Sequence, residues 1–81
     1  MFRIDNDKAA KILTRRELSI QSIADAMQIP MCDMAAMLKG DLQLDIDECR
    51  KLMSILGFGD FVDMAASEEV REYARRIAYK G

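Results

Sequence analysis

The 81-residue sequence contains no histidine, and that omission removes two kinds of chemistry. A zinc site would need four cysteines or carboxylate substitutes, and only Cys32 and Cys49 are present, so no familiar metal set can be assembled. The commonest general base is missing too, and no serine or cysteine has an evident partner to activate it. The sequence therefore argues against an enzyme and implies no cofactor. Two cysteines do not make a disulfide framework; they are expected as buried or half-buried thiols in a reducing compartment. There is one proline and there are four glycines, and no biased segment marks a linker or a disordered stretch. Long apolar runs are absent, so no segment is expected to span a bilayer. The first residues, MFRIDNDK, lack the apolar centre of a signal peptide, which points to the cytoplasm.

What remains is 51% hydrophobic and 32% charged residues, enough for one small domain over residues 1–81. The net charge of −2 hides an asymmetry. Residues 1–16 hold five basic and two acidic groups, residues 17–49 hold Lys39 against seven acids, and residues 50–81 hold six bases and five acids. The acidic part is the middle of the chain. That weakens any attraction for phosphates there.

No sustained alternation of apolar and polar residues suggests a strand, and the Ala, Met, Leu, Glu, Lys and Arg content favours an all-α bundle of five to six helices. The first helix is expected over about 7–16, with Asp5 or Asn6 as its N-cap. Ala9, Ile12 and Leu13 share one face, and the bases Lys8, Lys11, Arg15 and Arg16 lie mostly on the others. Ser19 caps a second helix to about Met27, whose Ile20, Ile23, Ala24 and Met27 follow i, i+3, i+4, i+7 spacing. Pro30 starts a third, which ends before Gly40. Asp45 and Glu48 have capping-box spacing ahead of a fourth helix, with Ile46, Cys49, Leu52, Met53 and Leu56 facing inward and Gly57 ending it. The acids Asp41, Asp45, Asp47 and Glu48 lack the alternating oxygen ligands of a calcium loop and are explained by capping and dipole compensation. A short helix over about 60–66 follows. Ser67 then opens the last helix, over about 67–80, with Val70, Tyr73, Ala74 and Ile77 as an apolar stripe and Glu72–Arg76 as an i, i+4 pair.

The stretch LSIQSIADAMQIPMCDMAAMLKGDLQLDIDECRKLMSILGF, residues 18–58, resembles the lambda-repressor/Cro-type helix-turn-helix family. Leu18 and Ser19 match the leucine and capping hydroxyl that open the family's second helix, and Ile23–Ala24 match its leucine–alanine pair. Met27 and Ile29 flank the turn, with Gln28 at the position of the turn glycine. Met34 and Met37 match the buried aliphatics of the recognition helix, and Lys39–Gly40 match its closing basic residue and glycine. Leu52 to Phe58 match the apolar fourth helix. The resemblance implies a lambda-repressor-like bundle and a small DNA-binding transcriptional regulator of bacterial, phage or mobile-element type. Its third helix would lie in the major groove of double-stranded DNA, presenting Met31, Cys32, Asp33, Ala35 and Ala36, while Lys39, Arg15 and Arg16 hold phosphates.

The reading residues differ from the family's. Ile20 replaces the usual phosphate-holding Gln, and from Met31 to Leu38 there is no Arg, Lys, Asn, Gln, Ser or Thr. Direct readout uses such hydrogen-bonding side chains. A second reading therefore stands beside the first: a protein-interaction module that kept the fold and offers Met31, Cys32, Ala35 and Leu38 to a protein partner. The last helix either closes the core or contributes to a homodimer through Val70, Tyr73 and Ile77.

Overall fold

A computed structural model of the chain describes residues 2–80. Those residues form an all-α bundle of six helices: α1 Asn6–Arg16, α2 Ile20–Met27, α3 Met31–Lys39, α4 Ile46–Leu56, α5 Phe58–Asp63 and α6 Glu68–Lys80. Local capping chemistry sets most of their starts. Asp5 accepts a hydrogen bond from the Lys8 backbone N–H at 3.0 Å, and Ser19 accepts one from Ser22 at 3.1 Å. At α4 the box closes in both directions: Asp45 accepts from the Glu48 N–H at 2.8 Å and Glu48 from the Asp45 N–H at 2.9 Å. The Ser67 hydroxyl accepts from Val70 at 3.3 Å. Each of these side chains satisfies a donor that the first helical turn leaves free.

Helix α3 packs on α1 and α2, α2 on α4, and α4 on α5 and α6, which also pack on each other. The shared core takes Ile12 from α1, Ile23, Ala24 and Met27 from α2, Met34 and Met37 from α3, Cys49, Leu52 and Leu56 from α4, Phe61 from α5 and Ala74 from α6. The first residues close this core. Phe2 pairs with Leu44 and Ile4 with Ala65 as isolated antiparallel bridges, so residues 2–5 run extended between the 41–45 loop and the 64–66 turn. Phe2 is fully buried, and its ring stacks on Phe61 with centroids 4.3 Å apart. Four backbone hydrogen bonds hold the segment: Phe2 to Leu44 in both directions, Asp5 N–H to Met64 and Ala66 N–H to Arg3.

Several expectations are corrected. Leu38 is 4% exposed and belongs to the core, because Met34, Met37 and Leu38 fall at i, i+3, i+4 on the inward face of α3. Ile77, expected at a dimer contact, is 7% exposed and packs into its own chain. Ile46 faces solvent at 44% exposure, since it is the first residue of α4 and lies off the Cys49–Leu52–Leu56 stripe. The fifth helix begins at Phe58 rather than near residue 60, directly after Gly57 turns the chain with φ +85°. Cys32 is exposed while Cys49 is buried. Glu72 pairs with Arg75, three residues on, rather than with Arg76.

Candidate functional site

Helices α2 and α3 are joined by Gln28, Ile29 and Pro30. The reversal rests on Gln28, which adopts the left-handed conformation at φ +60° where the resembling family carries glycine. The Ile29 N–H bonds the Ala24 carbonyl at 3.1 Å, and Lys51 Nζ reaches the Met27 carbonyl at 3.5 Å, so the carbonyls ending α2 are satisfied from two sides. Buried Ile23, Ala24 and Met27 of α2 and Met34 and Met37 of α3 hold the pair together.

The far end of α3 is fixed by the extended segment around Arg3 and Ile4. The Arg3 guanidinium donates to the Gly40 carbonyl. A Cβ on Gly40 would sit 2.8 Å from the Ile4 carbonyl oxygen, and its φ is +87°. Both facts demand glycine there.

With its inner face spent, α3 turns a small outer face to solvent. Met31 is 50% exposed, Cys32, Asp33 and Lys39 are exposed, and Ala35 and Ala36 are half-buried. Asp33 sits in the first turn and Lys39 in the last, where each complements the helix dipole. The two charges cancel, so the face is apolar and close to neutral. Cys32 is its one accessible thiol. The other, Cys49, is pushed up to about 12 by burial first and by the nearby Asp45 and Glu48 carboxylates second, so it stays a protonated core residue.

The structure shows Arg15 and Arg16 already paired. Both converge on Asp60 of α5: Arg15 Nη2 lies 2.5 Å from Oδ1, and Arg16 donates through Nε to Oδ2. Arg16 also donates to the Leu56 carbonyl at 2.6 Å, closing the C-terminus of α4. A contact to DNA phosphate through these groups would compete with a carboxylate they already serve. Lys8, Lys11 and Lys39 are exposed and make no ion pair among the described residues.

The hydrogen bond from Arg16, with help from Arg15, holds the Asp60 carboxyl below its ordinary range. Its folded value lies below its unfolded one, so the clamp stabilises the fold fully above about pH 4 and is lost as pH falls through the depressed value. Asp60→Asn is expected to cost about 1 kcal/mol at neutral pH, as partly exposed ion pairs do. It should also flatten the acid limb of a pH–stability profile from urea melts. An unchanged acid limb would show that other carboxylates set it.

Of the residues singled out from the sequence, Met31, Cys32, Asp33, Ala35, Ala36 and Lys39 come together on one helix. Arg15 and Arg16 do not join them, and Leu38 lies beneath. The chain matches no protein-family model, no curated protein and no solved structure.

Proposed function

We propose that this chain is a small regulatory module of helix-turn-helix type that binds a protein partner through the outer face of α3. One observation carries the reading. That face offers an exposed methionine, a thiol and two small alanines, and its only hydrogen-bonding side chain before Lys39 that could meet a base edge is the anionic Asp33. Reading base pairs needs donors and acceptors that this face lacks, whereas a flexible, polarisable methionine beside small residues suits a protein contact. Leu38 contributes from below by supporting the helix, not by touching the partner. The acids that dominate residues 17–49 favour a partner with basic residues around an apolar anchor.

A second reading, a DNA-binding regulator, is favoured by Lys39. It is exposed and free of ion pairs at the end of α3, where a phosphate contact would be made. Lys8 and Lys11 could add to it. Double-stranded DNA would then be held by shape and phosphate contacts, with thymine methyl groups meeting Met31 and Ala35.

The exposed Cys32 supplies a test without engineering a new site. A photo-crosslinker attached there should trap the partner, and Met31→Asp should abolish trapping while leaving the helical content intact. Duplex DNA should show no binding at low salt by fluorescence anisotropy. Duplex binding that falls steeply with added salt, and is weakened by Lys39→Glu, would replace the protein reading with the DNA one.

A further inference from the structure

Seven of the 81 residues are methionine, and the fold sorts them by access to solvent. Met27, Met34 and Met64 are fully buried, Met37 is 2% exposed, and Met53 is half-buried against the core. Among the described methionines Met31 alone is exposed, at 50%. It is the first residue of α3 and the largest apolar side chain on the outer face of that helix. The thioether most open to a dissolved oxidant is therefore the one on which that face depends.

Burial decides which sulfur reacts. A peroxide has to bring its O–O bond against the Sδ lone pair of the thioether. At Met27, Met34, Met37 and Met64 this requires the packed bundle to open, whereas at Met31 it requires nothing to move. The sulfur attacks one peroxide oxygen, the S–O bond forms and the O–O bond breaks. The departing oxygen takes the proton of the transferred one and leaves as water. Sulfur is oxidised by two electrons and the peroxide is reduced.

We propose that Met31 is a redox modification site, and that its conversion to the sulfoxide by peroxide switches off docking at α3. The proposal rests on the protein-partner reading of that face. Oxidation replaces a flexible apolar side chain with a polar one that carries a strong acceptor. Nothing else on the face can take over as anchor. Ala35 and Ala36 are small and half-buried, and Asp33 and Lys39 are charged. A partner pocket shaped for the thioether would have to bury an unpaired S–O dipole. The fold is spared, because Met31 is no part of the core cluster. Reductases that act on methionine sulfoxide make the change reversible.

Peroxide treatment of the full chain, labelled at Cys32 with the photo-crosslinker, tests the switch. The label reports docking and withdraws the exposed thiol from oxidation. After hydrogen peroxide and then catalase, peptide mass spectrometry should find oxygen on Met31 at least about tenfold faster than on Met27, Met34, Met37 or Met64. Circular dichroism should be unchanged. Crosslinking in a desalted extract of the cells that make the protein should fall at least about tenfold, and prior treatment with methionine sulfoxide reductases should restore it. Met31→Leu keeps an apolar side chain of similar volume without the sulfur, so it should crosslink as the wild type does and ignore peroxide. Oxygen spread evenly over the core methionines overturns the proposal. So does undiminished crosslinking by the Met31 sulfoxide, or an equal loss in Met31→Leu. No crosslink before peroxide is added would instead overturn the docking reading, and the switch with it.

Discussion

Phe2→Ala is expected to cost about 3–5 kcal/mol, the range for removing a fully buried phenylalanine from a packed core. A chain of this size has total stability of roughly 4–12 kcal/mol at about 0.05–0.15 kcal/mol per residue, so the loss is a large part of the whole. The ring has no room to be replaced. It stacks on Phe61, and its backbone is held to Leu44 by two hydrogen bonds of 3.3 and 2.8 Å, which prevent the segment from sliding to fill the void. Urea melts followed by circular dichroism should show a lower midpoint with little change in slope. A loss below about 1 kcal/mol would mean that residues 2–5 are not seated on the bundle as described.

The starts of α2, α4 and α6 were legible because their causes are local. Ser19, Asp45 and Ser67 sit one residue before the helices they cap, and each accepts its expected bond. The roles of Phe2, Ile4, Leu44 and Ala65 were not legible. Two single bridges impose no period on the sequence, and their partners lie 42 and 61 positions away. Leu38 gives a different lesson. The sequence reading follows the resemblance and places it at the surface, although its i, i+4 spacing from the buried Met34 is that of a core position, and at 4% exposure it lies in the core. The ties of Arg15 and Arg16 to Asp60 cross 45 and 44 positions, and nothing near either arginine announces them. On the outer face of α3, by contrast, sequence and structure agree on Met31, which opens the helix and is 50% exposed.

Gly40→Ala should destabilise the fold by about 2–4 kcal/mol and lower the melting temperature by roughly 10–20 °C. Two costs add. An L side chain at φ +87° is strained by about 1 kcal/mol, and the new methyl would be forced against the Ile4 carbonyl oxygen at 2.8 Å. That oxygen belongs to a backbone held in place by the Asp5–Met64 and Ala66–Arg3 hydrogen bonds, so it cannot retreat as a flexible side chain would. Relief by moving α3 outward would break the Arg3 bond to the Gly40 carbonyl. Gly59→Ala is the matched control. It lies inside α5 with open space around it, and a gain of about 0.5–1 kcal/mol is expected from its better helix propensity. If both substitutions had the same effect, the close approach at Gly40 would not be the cause.

The bridges from residues 2–4 also govern the order in which the molecule can come into being. Helices α1 and α2 pack on α3, contacts that become available once residue 39 has been made. Phe2 finds Leu44 only when the 41–45 loop exists, and Ile4 has no partner until Ala65 has been made. Until then these two large apolar side chains lack their partners and stay open to chaperones or to other chains. Phe2 and Ile4 therefore precede their partners in synthesis and are among the last to reach their places.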